Sequence, residues 1–128
     1  FHIHPALYDM VYNLKKDKLI LITDSIRPAG MPDGVYEQGG FTVTKKGVEC
    51  KLPDGTIAGS VIDLNTGINN VVKNSSIPLH EVIKAASLNP ATMLGINDTV
   101  GSLKKGKCAD IVIADTDFNI IRVFKDGK

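Results

Sequence analysis

Residues 19–24, "LILITD", run through four apolar side chains and a threonine to a single carboxylate, and the chain then turns through "SIRPAGMPDG". A carboxylate at the end of a buried strand stands where α/β barrels and open sheets place their chemistry, and it can carry a proton to or from a reacting atom. The same residue type closes turns and caps helices by accepting from nearby N–H groups. Local sequence leaves both roles open for Asp24. His2 and His4 form an HxH pair, which on a strand turns both imidazoles to one face and suits a divalent metal such as zinc. A metal site takes three or four ligands, and the only further histidine is His80, in a helical segment behind Pro78. That shortage argues against a self-contained metal site. Cys50 and Cys108 lie far apart, form no CxxC pair and have no thiolate-stabilising cluster beside them, so both read as structural thiols of a reducing cytoplasm. The pair Gly39–Gly40 lacks the phosphate-loop pattern.

The elements that must position these residues follow from periodicity. Residues 6–16 place Leu7, Met10, Val11 and Leu14 at helical spacing behind Pro5, with Lys15, Lys16 and Lys18 at the negative end. Residues 18–23 read as a strand buried on both faces. Residues 41–52 alternate around a Lys-Lys-Gly turn and predict a hairpin, followed by a second turn at 53–55. Helices are predicted over 62–73, over 78–87, and over 89–94 with Asn89 as cap and Pro90 at the first position. Residues 109–115 and 119–127 predict an antiparallel pair.

The chain has 128 residues, 15 basic and 14 acidic, with a net charge of +1, 43% hydrophobic and 23% charged. That balance offers no footprint for nucleic acid or an anionic membrane, and no apolar run approaches a membrane span. No signal-peptide pattern opens the chain. It starts at Phe1, already inside the histidine cluster, and its helix–strand beginning asks for parallel neighbours that the remaining residues do not supply. Both features predict a piece of a longer chain.

The segments "LITDSIRPAGMPDGVYEQGG", "DGTIAGS", "SLNPATMLGI" and "GSLKKGKCADIVIAD" occur in this order. Together they resemble the carboxyl-terminal third of the N-acetylglucosamine-6-phosphate deacetylases, a family of the amidohydrolase superfamily. The last segment marks metal-dependent amidohydrolases generally; "TDSIRPAGMPDG" with "DGTIAGS" narrows the resemblance to the deacetylases. The resemblance implies that Asp24 ends the eighth barrel strand. There it would act as general base on a metal-activated water and then as general acid toward the leaving amine. It implies that His2 contacts substrate and helps polarise the acetyl carbonyl; it assigns His4 no role, which leaves a structural position as the default. It further implies that Ile57, Ala58 and Gly59 meet the sugar phosphate moiety, where small residues let the backbone approach.

The fold class that follows is α/β: the carboxyl-terminal part of a (β/α)8 metal-dependent amidohydrolase barrel plus the terminal strands of a small β-sandwich domain. Residues 1–108 fall to the barrel, with a β-hairpin insertion at about 36–60, and residues 109–128 to the sandwich. The implied reaction converts N-acetylglucosamine 6-phosphate to glucosamine 6-phosphate and acetate. The implied cofactor is a divalent metal, zinc or iron, with ligands from earlier strands, so these residues alone would be inactive. The implied setting is a cytoplasmic homo-oligomer. Another amide substrate within the superfamily, or a non-catalytic sugar-phosphate-binding or assembly module, are the alternatives.

Overall fold

The computed structural model describes residues 2–128. Pro5 opens a 3-10 turn, Pro5–Leu7, that leads into helix α1, Tyr8–Lys15; a second 3-10 turn, Lys16–Lys18, closes it. His4 caps the first turn, its Nδ1 accepting from the Ala6 N–H at 3.3 Å. The inward face of α1 is Tyr8 and Tyr12, whereas Leu7, Met10 and Leu14 of the predicted stripe are exposed.

Residues 19–23 form no ladder, which corrects the predicted strand over 18–23. A strand is a property of a pair. Here the Leu21 N–H donates to the Ala85 carbonyl at 2.9 Å, and no second strand lies alongside among the described residues.

A three-stranded antiparallel sheet follows, ordered β1 (Gly34–Gln38), β2 (Phe41–Lys46), β3 (Glu49–Lys51). The hairpin over 41–52 is present as β2–β3, and β1 is an added strand. Gln38 pairs with Phe41, so Gly39 and Gly40 form the whole connection. Both have positive φ, 59° and 84°, as a two-residue turn between twisted strands requires. Val43, Cys50 and Val61 make the buried centre beneath this sheet, with Ile26, Tyr36, Leu52 and Ala58 packed around them.

Three helices come next: α2 (Leu64–Asn74), α3 (Leu79–Ala86) and α4 (Leu88–Met93). Val71, Ile77 and Val82 form a second core, joined by Tyr8, Tyr12, Leu21 and Ile68. Asn89 is not the cap of α4; it lies inside the helix, buried. Its amide is used on the chain 70 residues earlier, donating to the Leu19 carbonyl at 2.7 Å.

The last pair, β4 (Ile111–Ala114) and β5 (Ile120–Phe124), is antiparallel, with a register shift between Ile113 and Ala114. Its turn is clasped by α2: Asn65 donates to the Phe118 carbonyl at 3.1 Å and Asn69 to the Asp117 carbonyl at 3.0 Å. Val112, Ile113, Ile120, Ile121 and Val123 stand exposed on this ribbon. No helix among the described residues is long and apolar enough to cross a membrane.

Candidate functional site

The segment 19–24 delivers Asp24 to the rim of the three-stranded sheet. Asp24 has a φ of 52°, a left-handed backbone that aspartate tolerates better than most L-residues. Its side chain is exposed, and no hydrogen bond engages the carboxylate among the described residues. The turn-closing and capping uses of an aspartate are therefore absent here.

The backbone of Asp24 is held from the segment that carries Ile57, Ala58 and Gly59. The Ser60 N–H donates to the Asp24 carbonyl at 3.3 Å, and the Ile26 N–H donates back to the Ser60 carbonyl at 3.0 Å. Ser25 and Ser60 thus form a parallel bridge. The Ser25 hydroxyl continues it by donating to the Ile62 carbonyl at 3.3 Å. Next to the bridge Gly59 has a φ of 145°, and a Cβ there would lie 2.5 Å from Cγ2 of Ile26. Only glycine fits between the loop and that side chain.

On the far side of this loop opens a cleft of about 310 Å³. His2, Ile57 and Gly59 line it, so three residues singled out in the sequence share one wall system. Ala58 turns the other way: it packs on the Val43–Cys50–Val61 centre, and its N–H donates to the Cys50 carbonyl at 2.9 Å. Asp24 does not line the cleft; it stands one ladder step away, across the Ser60 bond. The cleft adds Lys51, Thr66 and Asn70, which sequence reasoning passed over. Thr66 and Asn70 are four apart on α2 and therefore share a face. Their polarity inside an amphipathic helix was the signal available. Lys51 is paired with Glu49, another residue of the same wall.

His4 is occupied as a cap and His80 lies exposed beside the Glu81 carboxylate at 3.1 Å. Among the described residues no three His, Cys, Asp or Glu side chains gather where they could hold a metal ion. His2, His4, His80 and Asp24 do not fit a divalent-metal site by themselves. What the arrangement offers is a solvent-facing carboxylate with a fixed backbone beside a cleft lined by an imidazole, a lysine and amide and hydroxyl side chains.

Comparison with known proteins bears on this geometry. The amidohydrolase family profile matches residues 5–128. An N-acetylglucosamine-6-phosphate deacetylase of Bacillus subtilis (strain 168) is 41% identical over 128 residues, covering 99% of this chain and 32% of its own. An N-acetylgalactosamine-6-phosphate deacetylase of Escherichia coli O157:H7 is 35% identical over 127 residues, covering 99% of this chain and 34% of its own. The crystal structure of N-acetylglucosamine-6-phosphate deacetylase from Pasteurella multocida superposes with a TM-score of 0.95 at 28% identity, over 99% of this chain and 34% of that one. The chain spans about a third of the length of these relatives.

Proposed function

The chain belongs to the amidohydrolase family, and from that premise we propose that it is the carboxyl-terminal part of a deacetylase acting on N-acetylglucosamine 6-phosphate. The observation that carries the reading is the placement of His2, Ile57 and Gly59 on one cleft, with Asp24 bonded through its backbone to the next residue of that wall.

In the proposed reaction a water attacks the acetyl carbonyl while Asp24 takes its proton. The proton then passes from Asp24 to the amide nitrogen, the C–N bond breaks, and acetate leaves the free amine. His2 donates toward the carbonyl oxygen as charge develops on it. The chain at Ile57 and Gly59, the two residues of this loop on the cleft, meets the phosphate end of the sugar, with Ala58 anchoring the loop from behind. Amidohydrolases are generally metal-dependent; the zinc or iron of this reading takes its ligands from outside residues 2–128, so these residues alone are inactive. The remaining expectations belong to the same proposal. Residues 1–108 belong to the barrel with its insertion, residues 109–128 add the closing strands of a β-sandwich, and the whole protein is a cytoplasmic homo-oligomer. The open apolar faces of β4–β5 support the sandwich assignment.

A second reading has its own support. The O157:H7 relative is named for the galactosamine epimer and resembles this chain over the same 99%. One assay separates them: release of acetate from both 6-phosphates by the full product of the gene and by its Asp24→Asn variant. Activity greater on the gluco epimer, reduced about a hundredfold or more by the substitution, is the expected outcome. Preference for the galacto epimer selects the second reading. An Asp24→Asn variant as active as the parent removes Asp24 from the chemistry.

A further inference from the structure

We infer that Ile26 is a positioning residue, which ties the loop 57–59 to the backbone of Asp24 and so sets where that backbone carries the carboxylate. The inference rests on the proposed role of Asp24 and adds to it a residue that touches no substrate.

First, the Asp24 backbone sits at a φ of 52°, a conformation that endures where the surroundings dictate it. Second, those surroundings are the bridge to Ser60, with the Ser60 N–H on the Asp24 carbonyl at 3.3 Å and the Ile26 N–H on the Ser60 carbonyl at 3.0 Å. Third, Ile26 fills the space that a side chain at Gly59 would need, with Cγ2 only 2.5 Å from that Cβ position. Ile26 also packs on Val43, Cys50 and Val61, as Ala58 does. One side chain therefore sets the height of the loop, the register of the bridge and the backbone angle of the residue two positions before it. The cleft wall and the Asp24 backbone are tied to each other through that bridge.

The consequence for catalysis is specific. Removing the β-branch of Ile26 leaves Gly59 a gap to settle into, the bridge slackens, and the Asp24 carboxylate loses its aim before the protein loses its fold. Misplacement of a reacting group costs rate far more than binding.

The experiment is steady-state deacetylation by the full product of the gene, with kcat and KM taken against pH on whichever 6-phosphate epimer it prefers. Ile26→Ala is expected to lower kcat about ten- to hundredfold, to change KM by less than about threefold, and to shift the acid limb of kcat. Ile26→Val keeps the Cγ2 methyl and is expected to restore both kcat and the limb. A purely structural role would lower the melting temperature of Ile26→Ala and leave the limb where it was. If Ile26→Ala fails to fold, Ile26→Leu replaces it, since it keeps the volume and moves the branch off Cβ, where Gly59 is met; a fall in kcat of about tenfold with an altered acid limb is then expected. Parental kcat and pH profile in the folded variant overturn the inference. Parental activity in Asp24→Asn overturns instead the reading on which it rests.

Discussion

The side-chain amide of Asn89 donates a 2.7 Å hydrogen bond to the carbonyl of Leu19. A buried residue of α4 thereby fixes the start of the segment that ends at Asp24. Together with the Leu21 N–H on the Ala85 carbonyl, it holds the segment in place without a strand partner. Asn89→Ala leaves the Leu19 carbonyl unpaired next to apolar side chains. The expected loss is about 1–3 kcal/mol of unfolding free energy, read from urea unfolding; a midpoint equal to the parent's would show that water replaces the amide.

A second prediction concerns Gly101. A Cβ there would meet the Ala91 Cβ at 2.8 Å, the Leu88 Cα at 3.2 Å and the Ser87 carbonyl oxygen at 3.2 Å, at a φ of 85°. The loop after α4 lies flat on the helix because nothing projects from it. Gly101→Ala should destabilise by about 2–4 kcal/mol, from overpacking together with the left-handed backbone. Thermal unfolding measures it, and an unchanged melting temperature would refute the close contact.

The thiols give a third prediction. Cys50 is buried and Cys108 exposed, and neither is in a disulfide. A thiol reagent should label one equivalent rapidly under native conditions and the second only on unfolding. Rapid labelling of both would mean that the core under the sheet opens readily.

Acid sensitivity is the fourth. The Gly47 N–H and Lys45 hold the Asp33 carboxyl below its ordinary value of 3.8. Lys125 and the Asp126 N–H do the same for Asp110, and the side chain and N–H of Asn119 for Asp115. Each group binds its proton less readily folded than unfolded. The stability these contacts contribute is thus fully present above the ordinary value of 3.8 and is lost as the pH falls through the lowered folded values. The urea midpoint should decline as pH drops below about 4, and Asp110→Asn with Asp115→Asn should flatten that decline. An undiminished slope in the double variant would place the acid sensitivity elsewhere.

How far the sequence carried is instructive at particular residues. Helices α2 and α3 were legible because each writes its period into its apolar residues, and the pair β4–β5 because two short β-branched runs flank a tight connection. Strand β1 was not, because its inward positions are Gly34, Tyr36 and Gln38 while Val35 points outward, which hides the alternation. The segment 19–24 reads as a strand from its composition, yet a ladder depends on a neighbour that no local pattern encodes. The same limit applies at the candidate site. The Gly59 and Ile26 contact joins two loops, so neither residue announces it. Asn89 looked like a cap because its type and its neighbour Pro90 fit one; its bond to Leu19 is decided by tertiary packing.

The unpaired segment also bears on how the chain behaves before it is folded. Residues 19–23 are an apolar, β-compatible stretch free of proline and of charge, the composition that nucleates intermolecular sheets. Lys15, Lys16, Asp17 and Lys18 precede it, and Asp24, Arg27 and Pro28 follow. These are gatekeepers, charges and a proline that discourage stacking of one nascent copy on another. Asp24 then counts twice: the carboxylate proposed to move a proton is also the charge that ends this apolar run.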